Sequence, residues 1–187
     1  RAMSGSDDEA VGAVSPRLLP VDARLPDDLR SSASALCAAA FGCDALRPLG
    51  RAAAPAQLSQ RWEGAVLAPP GGHRCLGVVV FGRRDGASAM TVKYLAVDAP
   101  ERGRGHGRRL LRHVSGRSLE VGLGRVALVC PASNAHALGF YRALGFGDEL
   151  ARWAGVLPQA ADAGLPDGER DHWLSCDAGA LSAPGEP

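Results

Sequence analysis

The sequence predicts an α/β protein of the α+β kind: a mixed, mostly antiparallel sheet of six to seven strands with about four helices. Three observations carry that prediction. Cys75–Phe81 (C-L-G-V-V-V-F) and Met90–Val97 (M-T-V-K-Y-L-A-V) flank an Asp85-Gly86 turn signal and read as an antiparallel hairpin. The apolar run Ala65–Ala68 before them extends the hairpin to a meander of three strands. A helix-spaced segment then separates Val97 from Arg125–Cys130 (R-V-A-L-V-C), the arrangement of a right-handed βαβ unit with parallel strands.

The remaining elements follow in order. Residues 1–14 are small, polar and acidic, and are expected to be a disordered tail; Arg1–Ser6 are set aside as compatible with a vector-derived extension. Arg17–Leu25 reads as a first strand, with Pro20 demanding an edge position. Pro26-Asp27-Asp28 starts a helix, with acids at the positive end of the dipole. Leu29, Ala33, Leu36, Cys37 and Ala40 recur at helical spacing, and Gly42 suits the cap. Ala56–Glu63 reads as a second helix with Leu58 and Trp62 on one face, and Pro69-Pro70-Gly71-Gly72 as a turn. A third helix runs from about Gly105 to Glu120, with Gly116 costing about 1 kcal/mol relative to alanine. Ser133 or Asn134 is fit to cap a fourth helix, Ala135–Leu144, which Gly145 ends. Phe146–Trp153 and Arg170–Cys176 read as closing strands around a loop at about Gly155–Glu169. The expected domain is 15–177, with 178–187 as a tail.

Composition narrows the function. The 187 residues suit one domain, and 46% hydrophobic content is sufficient for a core. A net charge of +1 gives no global case for nucleic acid or membrane, so any basic site must be local. Aromatic content of 5% argues against a base-stacking platform. The five cysteines, Cys37, Cys43, Cys75, Cys130 and Cys176, show no metal-ligand spacing and read as free thiols of a reducing compartment. No run approaches the ~18 apolar residues of a membrane span. The acidic Asp7-Asp8-Glu9 does not resemble a signal peptide, so a cytoplasmic monomer or homodimer without a metal is expected.

The chemistry concentrates between Met90 and Leu111. A strand ends at Asp98-Ala99-Pro100-Glu101; Arg102-Gly103-Arg104-Gly105-His106-Gly107 follows; Leu110, Leu111 and Val114 continue at helical spacing. Strand, glycine loop and helix start make an anion site, because free N–H groups of the first helical turn point at the ligand. A connecting loop and a phosphate cradle both fit these residues. No Gly-Lys-Ser/Thr follows, which excludes a Walker loop. Glycines at 103, 105 and 107 also fit a dinucleotide fingerprint poorly.

From Val97 to Leu111, V-x-x-P-x-x-R-G-x-G-x-G-x-x-L-L resembles the acyl-CoA pyrophosphate loop of the GNAT superfamily of N-acetyltransferases. Arg102, Gly105 and Gly107 fill its Gln/Arg-x-x-Gly-x-Gly/Ala signature. A second segment, N-A-H-A-L-G-F-Y-R-A-L-G-F from Asn134 to Phe146, is similar to the family's N-x-x-A-x-x-F-Y-x-x-x-G-F. Asn134, Ala137, Phe140, Tyr141, Gly145 and Phe146 match it. One helix and one strand separate the two motifs, as in the family, and the predicted element order is the family's over about residues 16–177.

The resemblance implies a GNAT fold with a β-bulge and splay at the central strand. It implies transfer of an acetyl group from acetyl-CoA to a primary amine by direct attack in a ternary complex. Leu95, Ala96 and Val97 would lie along the acetyl and pantetheine, one of their N–H groups polarising the thioester. Arg102, Gly103, Arg104, Gly105, His106, Gly107 and Arg108 would cradle the pyrophosphate. Asn134 and Ala137 would sit on the cofactor side, Asn134 alternatively as a helix cap. Tyr141 would be the general acid, protonated at neutral pH and able to donate to the departing thiolate.

The base stays open. Several family members carry a glutamate in the strand corresponding to Met90–Val97; this strand has no acid, and Thr91 and Lys93 stand there instead. Glu63, Asp85, His106 and His172 are candidates, and a water chain would also serve. Acceptor choice is expected from 27–63 and the 155–169 loop, where Asp162, Asp167 and Glu169 could attract a cationic amine. The missing glutamate leaves a non-catalytic acyl-CoA sensor as the alternative. The single R-G-R-G string is a poor nucleic-acid motif.

Overall fold

The computed structural model describes residues 15–50, 60–84, 88–148 and 171–182. Within them seven strands form one sheet in the order β1-β2-β3-β4-β5-β7-β6. The strands are β1 (Arg17–Pro20), β2 (Gln60–Ala68), β3 (Gly77–Arg84), β4 (Met90–Val97), β5 (Arg125–Cys130), β6 (Gly147–Asp148) and β7 (His172–Asp177). The helices are α1 (Asp27–Phe41), α2 (His106–Glu120), α3 (Ala135–Ala143) and a short α4 (Ala178–Ser182). All neighbouring strands run antiparallel except β4 and β5, which are parallel across the α2 crossover.

Two departures from the sequence expectation stand out. The predicted helix Ala56–Glu63 is overturned from Gln60 onward, because Gln60–Ala68 is strand and pairs with both β1 and β3. Leu58 and Trp62 are spaced for a helix, but Trp62 alternates with charged Arg61 and Glu63. The ladder with β3, whose Val78–Phe81 are buried, decides between the two periods. Residues 56–59 lie outside the described set. At the other end, 178–182 is not tail but α4. The Ala178 N–H donates to the Gly124 carbonyl at 2.9 Å. The buried Ser115 hydroxyl of α2 donates to the Ala178 carbonyl and lies 2.7 Å from the Ser182 hydroxyl. The Asp85-Gly86 turn and most of the strand predicted after Phe146 also fall outside the described residues.

The sheet separates two apolar layers. Val79 and Phe81 of β3 point to one side, where Leu110, Leu111 and Val114 of α2 and Leu138 and Tyr141 of α3 cover them. Val78 and Val80 point to the other, under Leu29, Ala33 and Cys37 of α1. β4 changes its alternation midway. Phe81 pairs with Val92 but Val80 pairs with Tyr94, so Lys93 is an extra residue, a β-bulge. Before it, Met90 and Val92 face the α2 layer; after it, Leu95 and Val97 do, while Tyr94 and Ala96 face α1.

His113 of α2 packs edge-on to Phe81, with ring centroids 5.7 Å apart. Burial, then the Arg117 charge, push its pKa below 6.5, outweighing Glu63 and Glu120. A depressed histidine is neutral in the folded chain while the unfolded chain takes up a proton. Its contribution to stability is therefore complete above about pH 6.5 and is lost as pH falls below it, by at most about 1.4 kcal/mol per unit. Thermal melts from pH 7.5 to 5.5 should show a falling Tm, and His113→Phe should flatten that slope. An unchanged slope would assign it to other groups.

Candidate active site

β4 and β5 pair only at Met90↔Val126, Thr91↔Ala127 and Val92↔Leu128. Both strands continue, but the ladder ends there, so they splay beyond the bulge. The direction of the freed backbone follows from one hydrogen bond. The Asp98 N–H donates to the Leu76 carbonyl at 3.0 Å, toward the β3 side. Backbone groups alternate sides along a strand, so Leu95 and Val97 turn their N–H and C=O groups toward the gap, while Ala96 serves β3.

The glycine loop lies at the mouth of this gap. Ala99–Glu101 makes one tight 3-10 turn around Pro100. Gly103 and Gly105 both have φ +78°, a conformation that other residues adopt only under strain. Gly105 caps α2 without any side-chain hydrogen bond, and the first turn carries no acid. The helix ladder starts with Arg109 N–H on the Gly105 carbonyl at 3.0 Å. The N–H groups of His106, Gly107 and Arg108 therefore have no intrahelical acceptor and point out of the positive end of the dipole. Gly107 is needed for a different reason: a Cβ there would stand 2.9 Å from Phe140 Cζ, so its absence lets α2 approach α3.

The charges around the loop are partly committed already. Glu101 accepts from Arg74 at 2.5 Å and from Arg104 at 3.1 Å, and lies 3.4 Å from His106. Desolvation works to raise the Glu101 pKa, but Arg104, His106 and Arg74 together hold it below its usual value. The Arg102 Nε donates to the Val97 carbonyl at 3.3 Å, tying the loop to the end of β4. Arg108 and Arg109 are exposed. Glu101 and Arg74 were not singled out as site residues by sequence reasoning. The signal for Glu101 was a carboxylate directly before three loop cations.

Tyr141 is buried in α3, its ring 5.2 Å from that of Phe140 and 5.5 Å from that of Phe146. Burial, with a smaller effect from Cys130, pushes its phenol far above 10, so it is a hydrogen-bond donor at every physiological pH. Cys130 is the last residue of β5, which places Tyr141 beside the far wall of the gap. Asn134 acts as the cap: its Oδ1 accepts from the Ala137 N–H at 3.1 Å, which also commits the Ala137 donor.

The base candidates are engaged elsewhere. Glu63 is held by Arg117 at 3.2 and 3.3 Å, His106 faces Glu101, and His172 lies 3.0 Å from Asp148. Asp85 and the 155–169 acids are outside the described residues. Among the described residues no cluster of His, Cys, Asp and Glu could hold a metal ion, and no helix is long and apolar enough to cross a membrane.

A splayed strand pair opening onto an uncapped, glycine-led helix end defines a site for a long ligand with an anionic middle. The chain belongs to the acetyltransferase (GNAT) family, whose profile matches residues 38–146. Among solved structures it is similar to Tetrahymena GCN5, with a TM-score of 0.59 and 16% identity over 87% of this chain and 96% of that one. It is also similar to a Bacillus subtilis acetyltransferase in complex with CoA, with a TM-score of 0.55 and 17% identity over 87% and 99%. At these identities the likeness is one of fold. Nourseothricin acetyltransferase shares 26% identity at a TM-score of 0.49, over 63% of this chain; the chain spans 65% of that protein, less than two-thirds. No curated protein matches the chain.

Proposed function

We propose that the chain moves an acetyl group from acetyl-CoA to a primary amine by direct attack in a ternary complex. The observation that carries this reading is the end of the β4–β5 ladder at Val92↔Leu128, with the bare α2 N-terminus at the mouth of the gap. The residues fit the donor on structural grounds. Three outward N–H groups, two left-handed glycines and exposed Arg108 suit a pyrophosphate, and the Val97 backbone offers a strand-like edge to the pantetheine amides.

The chain's own groups then divide the work. The Leu95 N–H donates a hydrogen bond to the carbonyl oxygen and stabilises the negative charge that grows there as the amine nitrogen bonds to carbon. Tyr141 donates its hydrogen bond to the sulfur as the C–S bond breaks. A reference thiol ionises near 8.5, far below the raised Tyr141 phenol, so donation stabilises the thiolate ahead of full proton transfer. The amine loses its proton to solvent water, β4 carrying no carboxylate.

Two measurements test this. Coenzyme A at about 100 times its dissociation constant should raise stability by about 2.7 kcal/mol, read as a higher Tm. A panel of amines, polyamines, aminoglycosides and peptides with acetyl-CoA should release free thiol for at least one acceptor. No Tm shift at saturating coenzyme A would sink the donor site. A shift without turnover on any amine would leave an acyl-CoA sensor.

A further inference from the structure

Lys93 is the one lysine in the sequence; every other of the 21 basic residues is arginine. Its position is equally unusual. It is the extra residue of the β4 bulge, and bulges beside active sites re-aim a side chain. Its ammonium reaches across β3, past the side-chain-free Gly82, to lie 5.2 Å from the Trp62 ring centroid and 5.4 Å from that of Tyr94. Phe41 of α1 extends this aromatic surface, 4.9 Å from Tyr94.

Stacking a cation on aromatic rings does not explain a lysine. Arginine stacks at least as well, and this chain uses arginine everywhere else. Lysine differs in what arginine cannot do: release a proton at accessible pH and become a nucleophilic amine. The residue is exposed, so the side chain is free to leave the rings. It stands two residues before Leu95, about 6–7 Å along an extended strand. Leu95 is the first residue beyond the bulge whose N–H faces the gap.

We propose that Lys93 is an acetyl acceptor in cis, modified by the chain's own site. This rests on the reading of that site as an acetyl-CoA site. The Lys93 ammonium first gives one proton to solvent. The neutral nitrogen attacks the thioester carbonyl, the N–C bond forms and the C–S bond breaks. Coenzyme A leaves as the thiolate and ends as the thiol by taking the nitrogen's surplus proton. No further reactant is needed. The product amide carries no charge, so the cation over Trp62 and Tyr94 is lost and the ring faces open on the α1 side of β4. Self-acetylation thus converts a cationic aromatic surface into a neutral one next to the reacting centre.

The single lysine makes the test unambiguous. The full chain is incubated with acetyl-CoA and followed by intact mass and peptide fragmentation. A parallel sample in urea measures uncatalysed acetylation, and a thermal melt with coenzyme A reports the donor site. The expected result is one acetyl group on Lys93, faster than in urea. Its first-order rate constant should not change on dilution of the protein and should rise with pH, and Lys93→Arg should carry no lysine acetylation. No acetyl at Lys93, a rate equal to that in urea, or a rate constant that scales with protein concentration overturns the proposal. If coenzyme A still raises Tm in those cases, the donor site stands. If it does not, the donor reading falls with it.

Discussion

Tyr141→Phe should lower kcat for the proposed amine acetylation by about 10²–10³-fold, within the range for a positioned proton donor, and should leave the coenzyme A dissociation constant unchanged. The substitution removes one oxygen from a ring that keeps its packing against Phe140 and Phe146, so the fold should not suffer. The separation of kcat from binding decides the role. A structural tyrosine would lose Tm, and a purely binding one would lose affinity. The pH profile adds a check: with the phenol pushed far above 10 by burial, no alkaline limb from Tyr141 should appear up to pH 10. Turnover unchanged in the phenylalanine variant would end the proposed role.

How much of this was legible beforehand depends on what kind of physics fixed each part. The strands Met90–Val97 and Arg125–Cys130 and the α2 and α3 segments lie where local pattern and tertiary packing agree. β2 does not: Gln60–Glu63 has helical spacing locally and becomes strand only because β3 offers it a partner along its whole length. The site loop was readable because glycines at left-handed positions leave their mark on sequence. The commitments of its charges were not. Nothing in the order of residues says that Arg74, from the turn before β3, shares Glu101 with Arg104. Nor does it say that Asn134 spends its side chain on its own helix. The bulge at Lys93 was expected of the strand, but its position required the register.

Gly105→Val should weaken the proposed coenzyme A binding by about tenfold, equivalent to about 1.4 kcal/mol. The cause is not a clash, since a Cβ at Gly105 meets nothing within 4 Å. It is the backbone angle of +78°, which costs a non-glycine residue roughly 1–2 kcal/mol and a β-branched one more. The chain relieves the strain by rotating at the helix cap. That turns the His106, Gly107 and Arg108 N–H groups away from a common point, and affinity falls. Gly116→Ala is the control. It lies in the same helix with open space and no positive angle, so it should raise stability by up to about 1 kcal/mol and leave affinity alone. Equal binding in both variants would show that the cap does not hold the anion.

The extra residue in β4 also sets a rule of parity. Up to Val92 the even positions look toward α2; from Leu95 the odd ones do. Removing Lys93 would restore simple alternation and leave every later residue in its present layer, because adjacent Val80 and Phe81 already pair with the residues on either side of it. Tyr94 and Ala96 would stay with α1, and Leu95 and Val97 with α2. Only the bulge and its added local twist would be lost. Deleting any single residue between Tyr94 and Val97 would instead slide those beyond it to the opposite layer. The strand can spare one residue, and only at this place.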